Sequence, residues 1–284
     1  MGRWMQINTL TIVGVGLIGG SIGLAAKRCG LANRILGTSR TQEGLDKATA
    51  LGIIDEGVLD IEKAVRQAEM AVFCTPVDRI EEQVLNAGQG CSPETVLTDT
   101  GSTKAQIVKG VQGRLPQGVA FVGSHPLTGS EKQGPEYAHA DLFKGKLTIV
   151  TQTPATAAEA LKKVTAFWNE LGSRVRVMDP EEHDKAVAVT SHFPHLVAAA
   201  LTGILPSDLH ELAASGFRDS TRIAAGDPAL WTPILMLNRT TVLEALNEFG
   251  RNCGRYRKVL ETRDWDGLHA LLVEAKKVRD ALGS

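Results

Sequence analysis

Short apolar-rich runs alternate with stretches of helical period through the first half of the chain, and only the helical period continues through the second. Thr9 to Val13, Arg34 to Gly37, Met70 to Cys74, Thr95 to Thr98, Ala120 to Val122, Leu147 to Thr151 and Arg174 to Met178 read as strands. Runs this short with few polar breaks suit strands buried on both faces, as in a parallel sheet covered by helices. Between them, Ser21 to Cys29 reads as a helix ended by Gly30. Leu45 to Leu51, a segment opened by Pro76 and running through Ile80 and Val84, and Ala155 to Leu171 read as further helices. Strand–helix alternation of this kind predicts an α/β, doubly wound sheet.

The alternation stops at Met178-Asp179-Pro180. Beyond it the pattern predicts helices over Ala186–Leu205, Leu209–Phe217, Trp231–Phe249 and Trp265–Leu282. A boundary near residue 178 follows, with one domain over 1–178 and an all-helical one over 179–284. The helical part is apolar on more than one face, as at Leu235, Leu237, Val242, Leu243 and Leu246. That surface predicts burial against another subunit, hence a homodimer through the C-terminal helices.

Composition narrows the class. The chain has 284 residues, 43% hydrophobic and 22% charged, with a net charge of −1. That suits one large or two ordinary globular domains and argues against a broad nucleic-acid-binding surface. Cys29, Cys74, Cys91 and Cys253 are scattered without a C-x-x-C pair, so neither a disulfide framework nor a zinc site is expected. Met1 to Asn8 lacks the apolar core of a signal peptide, and no apolar run is long enough to span a membrane. A cytoplasmic enzyme with a small-molecule substrate is the expectation.

The stretch Thr11-Ile12-Val13-Gly14-Val15-Gly16-Leu17-Ile18-Gly19-Gly20-Ser21 carries the first chemistry. A strand enters a G-x-G-x-x-G turn that opens a helix. Gly14 allows the turn, Gly16 lets a pyrophosphate approach the backbone, and Gly19 lets helix and strand come close. The phosphates would rest on the free amides at Leu17, Ile18 and the helix start. This makes residues 1–178 a dinucleotide-binding Rossmann-type domain. An NAD site usually places an acid at the end of the second strand. Here Thr38-Ser39-Arg40-Thr41 offers hydroxyls and a guanidinium instead, a set that suits a 2′-phosphate. NADP is favoured, with NAD possible, and Ser39, Arg40 and Thr41 are candidate contacts. Thr75-Pro76, at the next strand end, lies beside the expected cleft.

Two polar stretches follow strand ends, Asp99-Thr100-Gly101-Ser102-Thr103-Lys104 and Gly123-Ser124-His125-Pro126-Leu127-Thr128-Gly129-Ser130-Glu131. In open α/β sheets ligands bind at such ends. His125, read as an accessible histidine in a glycine-flanked loop, is a candidate general base. Ser102 would reach the same cleft, or open a helix as its N-cap. His192 and His195 are three apart on a predicted helix kinked or started by Pro194, without a carboxylate partner, so no metal is expected. One of them would face the cleft as a donor, the other being a core or interface histidine. Arg218 and Arg222, four apart, suit a small substrate with two carboxylates, unless Asp219 engages them locally.

Taken in order, the glycine fingerprint, Thr98–Lys104, Gly123–Gly129, Ser191-His192-Phe193-Pro194-His195 and Gly216-Phe217-Arg218-Asp219-Ser220-Thr221-Arg222 resemble the prephenate/arogenate dehydrogenase family of tyrosine biosynthesis. The resemblance runs from about residue 9 to 280. It implies a Rossmann domain, a helical dimerisation domain and an active site between them. It also implies oxidative decarboxylation of a cyclohexadienyl dicarboxylate. His125 would take the proton of the ring hydroxyl while hydride leaves ring C4, and Ser102 would bond His125 or that hydroxyl. Arg222 would hold the ring carboxylate. His195 and Arg218 would contact the side-chain carboxylate, with Arg218 also a candidate to reach across a dimer. Glu131 matches an acidic position near the active-site entrance. Prephenate and arogenate remain alternatives, the Ser39-Arg40 pair and Glu131 leaning towards arogenate. No separate effector domain after the helices and no fused mutase domain before the glycine turn are expected. A β-hydroxyacid dehydrogenase type of oxidoreductase is the nearest alternative, but Lys185 is its best candidate lysine and lies too near a helix start. A non-catalytic dinucleotide-binding dimer is the other, and it leaves His125, Arg218 and Arg222 without a task.

Overall fold

Residues 6–128 and 132–283 are described in the computed structural model. The chain runs β1 (Ile7–Val13), α1 (Leu17–Cys29), β2 (Ala32–Thr38), α2 (Gln42–Ala50), β3 (Glu56–Gly57), α3 (Ile61–Val65), β4 (Met70–Phe73), α4 (Val77–Gly90), β5 (Val96–Asp99), α5 (Ala105–Val111) and β6 (Ala120–Val122). These six strands form one parallel sheet in the order β3-β2-β1-β4-β5-β6. Every residue of β1 except Asn8, and all of β4 and β5, is buried. Helices cover both faces, and one apolar cluster lies on each. Ile12, Ile22 and Trp168 belong to the first, and Val13, Phe73 and Leu97 to the second. The order reverses between β1 and β4, so a crevice opens beyond their carboxyl ends.

At Gly123 the chain leaves this sheet. β7 (Ser124–Pro126) starts a second sheet with β8 (Leu147–Thr151) and β9 (Arg174–Met178), ordered β7-β8-β9. β7 is antiparallel to β8, and β9 is parallel to it. The switch needs a glycine, because a Cβ at Gly123 would lie 2.7 Å from Thr151 Oγ1. Thr151 N also donates to the Gly123 carbonyl at 2.8 Å. The expectation of a loop at His125 is therefore corrected: it is the middle residue of a strand, paired with Ile149. The β7 segment is too short to show an alternating pattern, and β3 and α3 escape sequence reading for the same reason. α6 (Ala158–Glu170) lies between β8 and β9 and buries Trp168, whose indole N–H donates to Ser124 Oγ at 2.9 Å.

After β9 the chain is helical: α7 (Pro180–Val187), α8 (Phe193–Gly203), α9 (Ser215–Thr221), α10 (Pro228–Leu237), α11 (Arg239–Glu261) and α12 (Trp265–Ala281). Three long helices read from the sequence are divided. The Ala186–Leu205 helix begins earlier, at Pro180, and is interrupted by a π turn over Ala188–His192. Pro194 has no N–H and would clash with the carbonyl four residues back, and the wider turn accommodates it. Leu209–Phe217 is a 3₁₀ turn over Ser207–Leu212, then extended backbone, then α9. Trp231–Phe249 breaks at Asn238, where φ −106° and ψ 24° leave the helix. α10 returns to the sheet domain, placing Ile234 in the same apolar cluster as Phe73. No helix of the described residues is long and apolar enough to cross a membrane.

Candidate functional site

The glycine turn is built as its sequence demands. Gly14 has φ +97°, and a Cβ there would meet the Cys74 carbonyl at 2.8 Å and Thr75 Cγ2 at 3.1 Å. A Cβ at Gly19 would lie 2.1 Å from the Gly14 carbonyl oxygen. In contrast nothing stands within 4 Å of the position a Cβ would take on Gly16. That open space faces a helix start with no side-chain cap and no acid in its first turn. α1 begins at Leu17 rather than Ser21, so the amides of Leu17, Ile18 and Gly19 lie in its first turn. The residues fit a dinucleotide pyrophosphate. The Thr38 carbonyl accepts from Gly14 N at 3.1 Å and Val15 N at 3.2 Å, which sets Ser39–Thr41 beside the turn. Thr41 caps α2 through Gly44 N at 3.2 Å, while Arg40 is exposed. Thr75 bonds Gln83 at 2.5 Å, and Pro76 takes the N-cap position of α4.

Beyond β5, Asp99 and Lys104 form an ion pair with no exposure to solvent. Asp99 also accepts from Gly101 N at 2.9 Å and Ser124 N at 3.0 Å. Lys104 Nζ reaches the Ser124 carbonyl at 3.0 Å. These contacts tie the Ser102 loop to β7. Burial lowers the Lys104 pKa against the opposing pull of Asp99 and Asp184. The N-cap expectation for Ser102 is corrected. Lys104 takes the cap position of α5, and Asp184, eighty residues on, accepts from Lys104 N at 2.7 Å and Ala105 N at 2.9 Å. Two carboxylate oxygens serve two free amides better than one hydroxyl would, and Ser102 remains half-buried, its hydroxyl without a hydrogen bond among the described residues.

His125 is the centre of a chain of polar contacts. Its Nδ1 lies 2.8 Å from His183 Nε2, and His183 Nδ1 lies 2.8 Å from Asp184 Oδ1. A carboxylate only accepts, so a neutral His183 carries its proton on Nδ1 and offers Nε2 as an acceptor. His125 then carries its proton on Nδ1, leaving Nε2 as a free acceptor. Burial, followed by His183, Lys104 and His192, holds the His125 pKa well below 6.5. The imidazole is neutral at physiological pH, as a base requires. His125 is half-buried, whereas His183 is fully buried.

The two helix histidines behave differently. His192 is buried, and its Nδ1 lies 3.0 Å from Asn238 Nδ2, which also donates to the Asp184 carbonyl at 2.8 Å. Burial lowers its pKa to about 4. Its Nε2 has no partner among the described residues. His195 stacks on Trp231 with ring centroids 3.7 Å apart and a 10° interplanar angle. Burial lowers its pKa too. Gly226 makes this stack possible, because a Cβ there would lie 2.4 Å from Trp231 Nε1 and 2.9 Å from His195 Cε1.

Arg218 lies on α9, and Arg222 opens the 3₁₀ turn that follows it. Both are exposed. Arg218 Nε donates to the Ala213 carbonyl at 2.8 Å. Among the described residues neither guanidinium forms an ion pair with Asp219 or any other acid, so both remain available for carboxylates. Glu131 lies outside the described residues. Gln133 donates to Asp227 at 2.9 Å, a contact with the cap residue of α10.

Sequence reading did not single out His183, Asp184, Lys104, Asp99, Asn238 or Gly226 for the site. A His-Asp dipeptide two residues past Asp179-Pro180-Glu181 reads as an ordinary helix start, and its orientation towards β5 and β7 is a tertiary fact. Asp99 and Lys104 stood in a noted stretch, and their opposite charges five apart were the available signal.

The chain matches the sequence model of the prephenate dehydrogenase nucleotide-binding domain over residues 22–177 and that of the prephenate dehydrogenase dimerization domain over residues 179–274. It is 35% identical over 286 residues to a prephenate dehydrogenase of Bacillus subtilis, covering 97% of this chain and 76% of that protein. It is 32% identical over 280 residues to a cyclohexadienyl dehydrogenase of Zymomonas mobilis, covering 96% and 95%. The crystal structure of prephenate dehydrogenase from A. aeolicus in complex with hydroxyphenyl propionate and NAD+ superposes with a TM-score of 0.92 at 32% identity, covering 99% of this chain and 100% of that one.

Proposed function

The chain belongs to the prephenate dehydrogenase family, and from that premise we propose how its own residues carry out NAD(P)-linked oxidative decarboxylation of prephenate or arogenate in tyrosine biosynthesis. The observation that carries the reading is the run of contacts from His125 Nδ1 through His183 to Asp184, which, with a neutral His183, leaves His125 Nε2 as the acceptor. That nitrogen takes the proton of the ring hydroxyl, and Ser102 bonds the same hydroxyl. Arg222 holds the ring carboxylate, and Arg218 with His195 holds the side-chain carboxylate. Glu131 is kept as a candidate substrate contact on the family resemblance alone. Aromatisation of the ring drives loss of CO₂, so the protein's task is to orient the substrate and manage one proton.

The dinucleotide, held at Gly14, Gly16, Leu17, Ile18 and Gly19 and flanked by Thr75 and Pro76, supplies the hydride acceptor when bound. NADP is the favoured form. No acid stands at the end of β2, and exposed Arg40 with Ser39 and Thr41 suits a 2′-phosphate. The rest of the assignment is a homodimer built from residues 179–284, with residues 1–178 binding the dinucleotide. Leu243, Leu246, Phe249, Leu260 and Leu272 expose 39–54% of their area on α11 and α12, the kind of surface a second copy would cover.

The test gives the purified protein prephenate or arogenate, each with NAD or NADP, and follows reduced cofactor by absorbance. Turnover is expected, with the largest kcat/KM for a pair containing NADP. No turnover in all four combinations, with the protein folded and binding dinucleotide, would overturn the proposal. A higher kcat/KM with NAD would overturn the cofactor choice alone.

A further inference from the structure

Among the described residues, His125, the base of the proposed reaction, has no carboxylate of its own. The charged and titratable groups that act on it are Lys104 after β5, His192 in the π turn and His183 on α7, and all three oppose a positive charge on its ring. His183, directly behind it, is placed otherwise. Its Nδ1 faces Asp184 at 2.8 Å, and the remaining Asp184 contacts are backbone amides at 2.7 and 2.9 Å. Asp184 itself is held by the bond from Asn238 to its carbonyl. Lys104, the lysine that acts on His125, is already paired with Asp99. The two rings meet edge to face, with centroids 5.1 Å apart at 71°.

We propose that His183, backed by Asp184, is the store for the substrate's proton, passed to it through His125. The inference rests on the dehydrogenase reading of the site. The steps balance with the oxidised dinucleotide of the proposed reaction as the hydride acceptor and no further reagent. The hydroxyl O–H bond breaks and its proton joins His125 Nε2, as hydride leaves ring C4. The proton on His125 Nδ1 crosses to His183 Nε2, so the imidazolium forms against Asp184 rather than beside Lys104. The ring carboxylate departs as CO₂, and the electrons of the broken C–C bond complete the aromatic ring and leave a phenolate oxygen. The same two protons then move back, and the oxygen recovers its hydrogen as a phenol. No proton is released to solvent. His183 touches no substrate atom and is a positioning residue that also carries charge.

The first test needs no substrate. With ¹⁵N-labelled histidine, NMR of the whole protein near neutral pH should show both His125 and His183 protonated on Nδ1 and bare on Nε2. Either ring with its proton on Nε2 overturns the proposal, whatever the assay of the four substrate pairs shows. The second test uses His183→Gln, whose amide oxygen accepts from His125 Nδ1 but takes up no proton, and His183→Asn, which keeps a donor to Asp184. For the folded variants, kcat should fall at least about tenfold, the low side of a lost acid–base contribution. The acidic limb of the kcat/KM profile should move to higher pH in His183→Gln, because one group that disfavours protonation of His125 is gone. A proton inventory in mixed H₂O and D₂O should be curved for the wild type and straight for His183→Gln. A His183→Gln enzyme within about threefold of wild-type kcat, with an unmoved pH profile, would reduce His183 to a structural support and overturn the proposal. If neither variant folds, the tautomers of the wild type decide.

Discussion

Asp184→Asn tests how one buried carboxylate supports both the fold and the base. The residue is 3% exposed, and its side chain accepts from Lys104 N, Ala105 N and His183 Nδ1. Two of those donors share Oδ1. An asparagine therefore keeps its oxygen there and turns its NH₂ towards Ala105 N–H. One charge-assisted bond is lost, about 1.5–3 kcal/mol, and two become neutral bonds of roughly half the strength. The lower cost of burying a neutral amide offsets part of this, leaving a loss of about 3 kcal/mol. At roughly 2.1 cal/mol/K per residue, the unfolding entropy is about 0.6 kcal/mol/K, so Tm should fall by about 5 °C if the chain unfolds as one unit. Activity should suffer separately. His183 keeps its tautomer but loses the charge opposite it, about 1.5 kcal/mol, or roughly tenfold in kcat. Dinucleotide affinity should stay within about twofold, since no part of the glycine turn touches Asp184. Thermal unfolding, steady-state kinetics and dinucleotide titration on one preparation measure all three. A Tm within about 1 °C of wild type, with kcat unchanged, would refute the shared-support argument. A large loss of dinucleotide affinity would show that the substitution disturbs more than the contacts named.

Gly16→Ala should leave Tm nearly unchanged while weakening dinucleotide binding at least about tenfold, because its methyl meets no protein atom but fills the space over the turn. Gly19→Ala should cost about 1–3 kcal/mol of stability as well, since its methyl meets the Gly14 carbonyl; urea unfolding and titration with dinucleotide separate the two, and an equal loss of stability in both would contradict the geometry. Arg40→Ala should raise KM for NADP roughly tenfold, the worth of one charge-assisted contact, and leave NAD within about twofold; equal effects on both would remove the 2′-phosphate role. His192 should make the fold acid-sensitive. Its pKa is lowered from 6.5 to about 4, so below 6.5 the unfolded chain binds a proton that the folded one refuses. Stability is then lost as pH falls from about 6.5 to 4, by up to about 3 kcal/mol. Urea unfolding between pH 7 and 4 should show this slope, and His192→Gln should flatten it; an equally steep slope in the variant would assign it to other groups.

The sequence by itself determined the architecture. The strands at Ala120–Val122, Leu147–Thr151 and Arg174–Met178 have the same bounds in both readings, because each is a short run rich in β-branched and other apolar residues bounded by glycine, proline or aspartate turn signals. The glycine turn was equally legible, since Gly14 and Gly19 answer steric demands made within their own strand and helix or by the next strand, while Gly16 keeps open space over the turn. The motifs also placed His125, Ser102, His195, Arg218 and Arg222 in the candidate site without saying what holds them. Only the tertiary structure decided that Gly123 moves the chain to a second sheet, so that His125 stands on a strand. Only it showed that Asp184 caps a helix eighty residues away and turns His183 towards His125. The helix breaks at Ala188–His192 and Asn238 belong to the same class. A helical period records which face is apolar, but not that Asn238 leaves the helix to bond Asp184 and His192. Local sequence fixes contacts between residues a few positions apart, whereas a buried polar group takes its partner from whichever segment the fold brings within hydrogen-bond reach.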